Sequence, residues 1–318
     1  MSAGEFDLIA RIRARCASRD DVALGIGDDA ALLQPPADLQ LAVAMDTLNA
    51  GVHFPHETSP ADIGWKALAV NLSDLAAMGA TPAWCTLSLS LPQGDGAWID
   101  AFLDGFLELA DAHRVALVGG DTTRGPLSVC VTAHGFVEAD SALLRSGGRV
   151  GDDIWVSGTL GDAAGALAQL QAGNAVDPVL RERLDRPMPR VALGRALRGI
   201  ANACIDVSDG LLADLGHLCD ASGVGAGIEL ASLPASASMR SGFDVETRRA
   251  LQATGGDDYE LCFTAPQAKR SDVGHAAREA GVEVARIGRV VAGAGVVARG
   301  ENGEPWAPPR KGYAHFGD

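Results

Sequence analysis

Aspartates occupy the positions in this sequence that offer chemistry. Gly25-Ile26-Gly27-Asp28-Asp29-Ala30 is a glycine-hinged loop with two acids, and Asp46 ends an apolar stretch that begins at Leu39. Asp74 lies in Asn71-Leu72-Ser73-Asp74-Leu75, and Asp121 follows Gly119-Gly120. Asp206 and Asp209 bracket Ser208 in Ile205-Asp206-Val207-Ser208-Asp209-Gly210, and Asp257-Asp258 follow Gly255-Gly256. Taken singly, an acid after glycine is ordinary turn chemistry, and one before a helix is ordinary capping. Two of them resist that reading. Asp74 is flanked by Leu72, Leu75 and Met78 on an apolar helix, where an unpaired carboxylate is costly. Asp46 ends a strand with no helix opening behind it.

Convergence of four such acids has a physical consequence. Two carboxylates about 5 Å apart at an effective dielectric near 20 repel by roughly 3 kcal/mol. A cluster of them needs cations or raised pKa values. Hard oxygen donors without paired His and Cys select magnesium over zinc. Magnesium binds through a few carboxylates plus substrate phosphates, so the expected chemistry is metal-assisted phosphoryl transfer. Gly158-Thr159-Leu160-Gly161-Asp162-Ala163-Ala164-Gly165 follows a strand and opens a helix, which makes it either a tight turn or an anion site. Its spacing is not GxGxxG, no GxxxxGK[ST] loop occurs, and the protein-kinase signature set is absent. The seven histidines form no HxxxH or HExxH, and no Ser–His–Asp assignment stands out.

The elements that must position these acids alternate strand and helix. Leu39 to Met45 reads as a strand ending on Asp46. Ser59-Pro60 opens a helix that runs to about Met78, where Gly79 and Thr81-Pro82 stop it. Thr86 to Leu91 alternates polar and apolar residues as a half-buried strand, and Trp98 to Ala110 repeats at helical spacing. Val115 to Val118 is a short strand ending in Gly119-Gly120-Asp121, and Leu127 to Val137 is another. A glycine-rich turn at Leu144 to Gly148 marks a domain boundary, giving domains 1–148 and 149–318. The second domain begins with a strand at Asp153 to Ser157. Its later strands fall near Gly225 to Leu230, Tyr259 to Thr264 and Val282 to Val291. Pro305 to Pro309 reads as a surface tail.

Composition bounds the partners. The chain has 318 residues, 47% of them hydrophobic, and a formal net charge of −15, which argues against nucleic acid and anionic membranes as partners. The six cysteines form no CxxC pair and read as buried free thiols of a reducing cytoplasm. Neither a signal peptide nor an apolar run of membrane-spanning length is present in the reading.

The motifs together resemble the thiamine-monophosphate kinase family. The resemblance rests on Gly25 to Ala31, Asp46-Thr47 with Gly51 to Phe54, Asn71 to Gly79 and Gly119 to Gly125. It continues through Asp206 to Leu211, Gly255 to Leu261 and Gly312 to Phe316, in the family's order over nearly the whole chain. It implies an α/β (α+β) aminoimidazole-ribonucleotide-synthetase-like fold of two domains, with the N-terminal sheets of two subunits paired in a homodimer and a C-terminal α/β domain. It implies direct transfer of the γ-phosphate of ATP to thiamine monophosphate, giving thiamine diphosphate, with several Mg²⁺ ions. By the family's pattern Asp29, Asp46, Asp74, Asp121, Asp206 and Asp209 would bind metal. Gly120, Asp121, Arg145 and Ser208 would bind ATP, and His53, Glu260 and Tyr313 would line the substrate site. Asp74, Asp121 and Arg145 would be the catalytic group.

Two departures from the pattern are visible. Ala44-Met45 stand where the family often has metal-touching hydroxyls, which implies a weaker metal site there or a substituting carbonyl or water. A tyrosine associated with ATP in some relatives has no counterpart near Phe102-Leu103-Asp104. Sister enzymes of the fold fit less well. Selenophosphate-synthetase-like proteins carry a reactive N-terminal cysteine with a lysine, but Cys16 is surrounded by arginines. Hydrogenase-maturation relatives end in a reactive cysteine, whereas this sequence ends His315-Phe316-Gly317-Asp318. A rival of another class is a metal-binding dimer that holds nucleotide without consuming it.

Overall fold

The structure, a computed structural model, describes residues 4–308. The chain divides into two compact units: the chain up to Leu75 with Ala80–Asp140, and Ala76–Gly79 with the chain from Ser141.

The first unit contains α1 (Glu5–Arg15), β1 (Val22–Leu24), β2 (Leu32–Leu33), β3 (Leu39–Asn49), α2 (Pro60–Ala77), β4 (Thr81–Leu91), α3 (Gly96–His113), β5 (Ala116–Arg124) and β6 (Ser128–Glu138). Four strands form a sheet of order β3-β6-β4-β5, antiparallel except for the parallel β4–β5 pair. Leu87, Leu89, Val129 and Val131 are buried on one face. The space above Gly135 on that face is taken by Leu75 of α2. Ser59 accepts the Asp62 N–H and donates to the Asp62 carboxylate, which fixes the start of α2. Asp95 caps α3 by accepting from Ala97 and Trp98. The two helices cross where neither carries a side chain. A Cβ on Gly105 would fall 1.9 Å from the Ala61 carbonyl oxygen, and one on Gly64 2.1 Å from that of Phe102. That approach fixes α2, and with it Asp74, relative to α3. On β3, Leu41, Val43 and Met45 point from the opposite face and are 49%, 57% and 65% exposed.

The second unit contains β7 (Asp153–Ser157), α4 (Asp162–Gln171), α5 (Pro178–Asp185), α6 (Val191–Ala196), β8 (Ala203–Val207), α7 (Leu211–Ser222) and β9 (Gly225–Glu229). It continues with α8 (Ala237–Gly242), α9 (Val245–Thr254), β10 (Glu260–Ala265), α10 (Arg270–Glu279), β11 (Val284–Val291) and β12 (Gly295–Arg299). Its sheet runs β12-β9-β11-β7-β10-β8, parallel only between β12 and β9. Ile154, Val156, Ile205, Val207 and Ile287 meet Leu211, Leu215 and Leu218 of α7 in one core. All six cysteines are unpaired, and Cys85, Cys204, Cys219 and Cys262 are buried.

Several sequence expectations need correction. The first strand continues through Asp46 to Asn49, because its ladder with β6 runs unbroken from Leu39↔Glu138 to Asn49↔Ser128. Gly119-Gly120-Asp121 lies inside β5 rather than after it, with a bulge where Thr86 meets Gly119. The sequence reading places no strand at β8 or β12, and both are present. Pro305 lies on the surface as expected, while Trp306 packs against the core of the second unit.

Asp153 at the start of β7 is fully buried and ties sheet to helix. Arg270 at the start of α10 binds it through two nitrogens, 2.5 and 2.9 Å away, and Arg286 on β11 reaches it at 3.5 Å. The hydrogen bonds from Arg270 hold its carboxyl below the usual range against the opposing effect of burial. A carboxyl depressed in the fold adds stability above its unfolded value, about 3.9, and loses it as pH falls through the folded value. We therefore expect Asp153→Asn to be less stable than the parent at pH 7 and to lose less further stability on acidification. Urea denaturation across the acid range checks both.

Candidate active site

Within the first unit the acids are spread over separate elements. Asp29 is exposed in the loop between β1 and β2, where its N–H donates to the Asp28 carboxylate at 2.9 Å. Asp46 is half-buried on β3 and aligns with Val131, Leu87 and Gly120 across the sheet. Asp121 is exposed on β5, one residue out of that row, and so projects from the opposite face. Two strands lie between Asp46 and Asp121, a span of about 14 Å at the usual strand spacing. Asp74 is half-buried on α2. Gly120 has φ 155°, and a Cβ there would fall 1.9 Å from the Leu87 carbonyl oxygen. The bulge thus demands glycine and leaves the Gly120 backbone exposed beside Asp121.

His53 is fixed by its backbone and by one ring nitrogen. Its Nδ1 accepts the Asn49 N–H at 2.9 Å, so the neutral ring carries its proton on Nε2. Its carbonyl accepts from Nζ of Lys66 at 3.0 Å, and Lys66, on α2, is 1% exposed.

In the second unit two glycine turns are filled from inside. Gly161, at the start of α4, donates its N–H to both oxygens of Asp258 at 2.9 Å. The Leu160 N–H goes to the Pro234 carbonyl and that of Gly158 to Glu283. These three N–H groups are taken within the unit and are not available to a phosphate. The turn after β8 is built alike: Ser208, Asp209 and Gly210 donate to Asp214 at 3.0, 3.1 and 3.1 Å. Burial, then repulsion from Asp206 and Asp209, pushes the Asp214 carboxyl up to about 7. Burial likewise holds Asp258 well above the usual carboxyl range. Asp206 is 5% exposed on β8, while Ser208 and Asp209 are half-buried in the turn.

The linking segment is anchored by its main chain. The Leu144 carbonyl accepts the Cys204 N–H at 2.8 Å, and that of Arg145 accepts the Ser222 hydroxyl at 2.9 Å. The Arg145 side chain remains exposed.

Glu260 is fully buried and engaged by its own unit. Arg183 reaches it at 2.6 Å, Arg190 binds it through two nitrogens at 2.6 and 2.5 Å, and Ser157 donates at 2.5 Å. Its carboxylate therefore has four protein donors. Tyr313 lies outside the described residues.

Among the described residues no three His, Cys, Asp or Glu side chains stand close enough to share an ion. The convergence of four acids expected from the sequence does not occur within either unit. The donor set still suits magnesium, which takes one or two carboxylates and fills its remaining positions with water and phosphate oxygen. Sequence reasoning missed Asp214, Lys66, Arg183 and Arg190. For Asp214 a signal exists: an acid in the apolar run Leu211-Leu212-Ala213-Asp214-Leu215, the pattern that singles out Asp74.

Two mixed units with this strand order and this acid-bearing turn chemistry define an AIR synthase related protein. The family's N-terminal domain matches residues 27–137 and its C-terminal domain residues 149–301. The chain is 49% identical to the thiamine-monophosphate kinase of Escherichia coli (strain K12), over 99% of both chains. The crystal structure of thiamine-monophosphate kinase from Stenotrophomonas maltophilia K279a is 57% identical and superposes with a TM-score of 0.88, covering 96% of this chain and 98% of that one. AaThiL complexed with AMPPCP and TMP is 32% identical with a TM-score of 0.78, covering 98% and 97%. The chain belongs to the thiamine-monophosphate kinase family.

Breaking the Glu260 network leaves two arginines without their anion in a buried place. We expect Glu260→Gln to cost about 3–5 kcal/mol of stability, as for other broken buried ion pairs. Urea denaturation measures it, and a near-neutral change would mean that water replaces the carboxylate.

Proposed function

We propose that this chain transfers the γ-phosphate of ATP to thiamine monophosphate, forming thiamine diphosphate without a phosphoenzyme. The observation that carries this reading is its end-to-end similarity to thiamine-monophosphate kinases, together with the aspartates Asp29, Asp46, Asp74, Asp121, Asp206 and Asp209. A relative that holds AMPPCP and TMP together supports both substrates.

Magnesium, when bound, supplies the positive charge that lets two polyanions meet. Asp29, Asp46, Asp74, Asp121, Asp206 and Asp209 are the residues that would hold it. The acceptor is already a phosphate monoester, so its ionised oxygen is a competent nucleophile and no strong base is needed. Arg145, anchored by its backbone and open at its guanidinium, neutralises charge on the transferring phosphate. Gly120 lets the nucleotide approach the main chain of β5, and Ser208 offers a hydroxyl from the turn after β8. His53 presents an Nε2 proton toward the acceptor. Tyr313 would add an aromatic surface for the thiazolium cation.

A second copy covers the sheet face of β3 in this reading. Leu41, Val43 and Met45 form an exposed apolar row on an edge strand, a surface that a monomer rarely leaves open. Val43→Lys should then convert a dimer to monomer by light scattering. A parent protein that is itself monomeric would overturn the homodimer. No helix among the described residues is long and apolar enough to cross a membrane.

³¹P NMR of the protein with ATP, Mg²⁺ and thiamine monophosphate tests the reaction. The expected result is a new diphosphate signal with matching ADP, and Asp74→Asn should lower the rate by about 100-fold or more. Intact ATP would overturn the kinase reading. Unchanged turnover of Asp74→Asn at saturating magnesium would remove that residue from the site.

A further inference from the structure

The end of β8 and the turn after it carry three of the residues assigned to the site, Asp206, Ser208 and Asp209, and the shape of that turn depends on one side chain that no motif singles out. Asp214 sits one turn into α7 and is 3% exposed. A single oxygen, Oδ2, accepts three successive backbone N–H groups, from Ser208, Asp209 and Gly210, at 3.0, 3.1 and 3.1 Å. Three consecutive donors reach one atom only when the loop is curled around it. The carbonyl side of the loop is held as well. Ser208 accepts from the Asp257 N–H and Val207 from the Tyr259 N–H, both at 2.8 Å. The Gly210 carbonyl takes the N–H groups of Ala213 and Asp214 at 3.0 Å.

This arrangement is costly unless something depends on it. A carboxylate buried next to Asp206 and Asp209 adds like charge to a place already rich in it. An apolar side chain would suit the core of α7 better, since Leu211, Leu215 and Leu218 around it are fully buried. What the carboxylate does supply is an acceptor for donors that would otherwise form an empty anion pocket directly behind the two acids.

We propose that Asp214 is a positioning residue. It sets the backbone that aims Asp206, Ser208 and Asp209, and it keeps anions out of the pocket behind them, so that phosphate is bound only through the metal side. The proposal rests on the reading that these residues serve magnesium and ATP.

The test compares Asp214→Ala, Asp214→Asn and Leu218→Ala. The last removes buried bulk from the same helix four residues on and touches none of the loop donors. Mn²⁺ binding to the nucleotide-free protein is followed by titration calorimetry. The Mg²⁺ concentration for half-maximal turnover and the KM for thiamine monophosphate are measured alongside. Asp214→Ala should weaken Mn²⁺ binding and raise the Mg²⁺ requirement by about tenfold or more, the usual effect of removing a group that orients metal ligands. Asp214→Asn keeps one acceptor oxygen and should fall between parent and alanine. The KM for thiamine monophosphate should stay within about twofold of the parent, because loss of an orienting group acts on the metal side. Leu218→Ala should lose thermal stability with parental metal binding. If the alanine variant does not fold, the asparagine variant is compared with Leu218→Ala in the same way. Metal binding equal to that of Leu218→Ala would overturn the positioning role. A parent protein that makes no thiamine diphosphate would overturn the kinase reading instead, and the calorimetry would still decide the role of Asp214.

Discussion

Backbone N–H groups at a strand-to-helix turn call for acceptors, and in the second unit the protein supplies carboxyl oxygens of its own. Asp258 occupies the turn before α4 and Asp214 the turn before α7. Nucleotide-binding folds commonly leave such turns open for phosphate. Here both are closed from within, and both carboxylates are buried at the cost of a raised pKa. The consequence is a division of labour. Main-chain dipoles stabilise the fold, and in the proposed reading the exposed and half-buried acids meet phosphate through cations. An acidic protein of charge −15 that binds two polyanions has few other routes.

The first unit distributes its acids by the same logic of spacing. Asp46 lies on the edge strand β3 and Asp121 on the opposite edge strand β5, pointing from different faces. Asp74 sits on a helix whose position is set by the Gly64 and Gly105 contacts, and Asp29 on an exposed loop. Kept apart, these carboxylates avoid the repulsion that a preformed cluster would impose on the folded chain. Magnesium does not require such a cluster, since phosphate and water complete its shell. The absence of a three-acid group among the described residues is therefore compatible with a site assembled together with nucleotide.

Much of this was legible in the sequence, and the failures have identifiable causes. The helix predicted from Ser59-Pro60 to about Met78 is observed as Pro60–Ala77, because capping and apolar spacing agree there. Asp46 was harder: apolar alternation fades at Asp46-Thr47, but the ladder to β6 continues regardless of side chain. Gly119-Gly120-Asp121 carries turn residues, yet glycine is needed there for a close approach inside a strand. Glu260 shows the limit most clearly. Its partners Arg183 and Arg190 lie 77 and 70 residues away, and nothing local announces them. The acids proposed to bind metal stand out in the sequence as a set because turn glycines flank several of them, but where the fold holds them does not.

The environment of each acid, rather than its residue type, thus decides its work. Asp95, Asp177 and Asp244 cap helices at exposed starts, where a carboxylate accepts two N–H groups and stays in water. Asp153 and Glu260 are buried, and each survives because arginines from distant elements reach it. Asp214 and Asp258 are buried with main-chain donors as their closest partners. Asp29, Asp121 and Asp209 are half-buried or exposed, each within two residues of a glycine. A structural acid can therefore be recognised by where its carboxyl group finds its hydrogens: Asp153, Asp214 and Asp258 take theirs from inside the same unit.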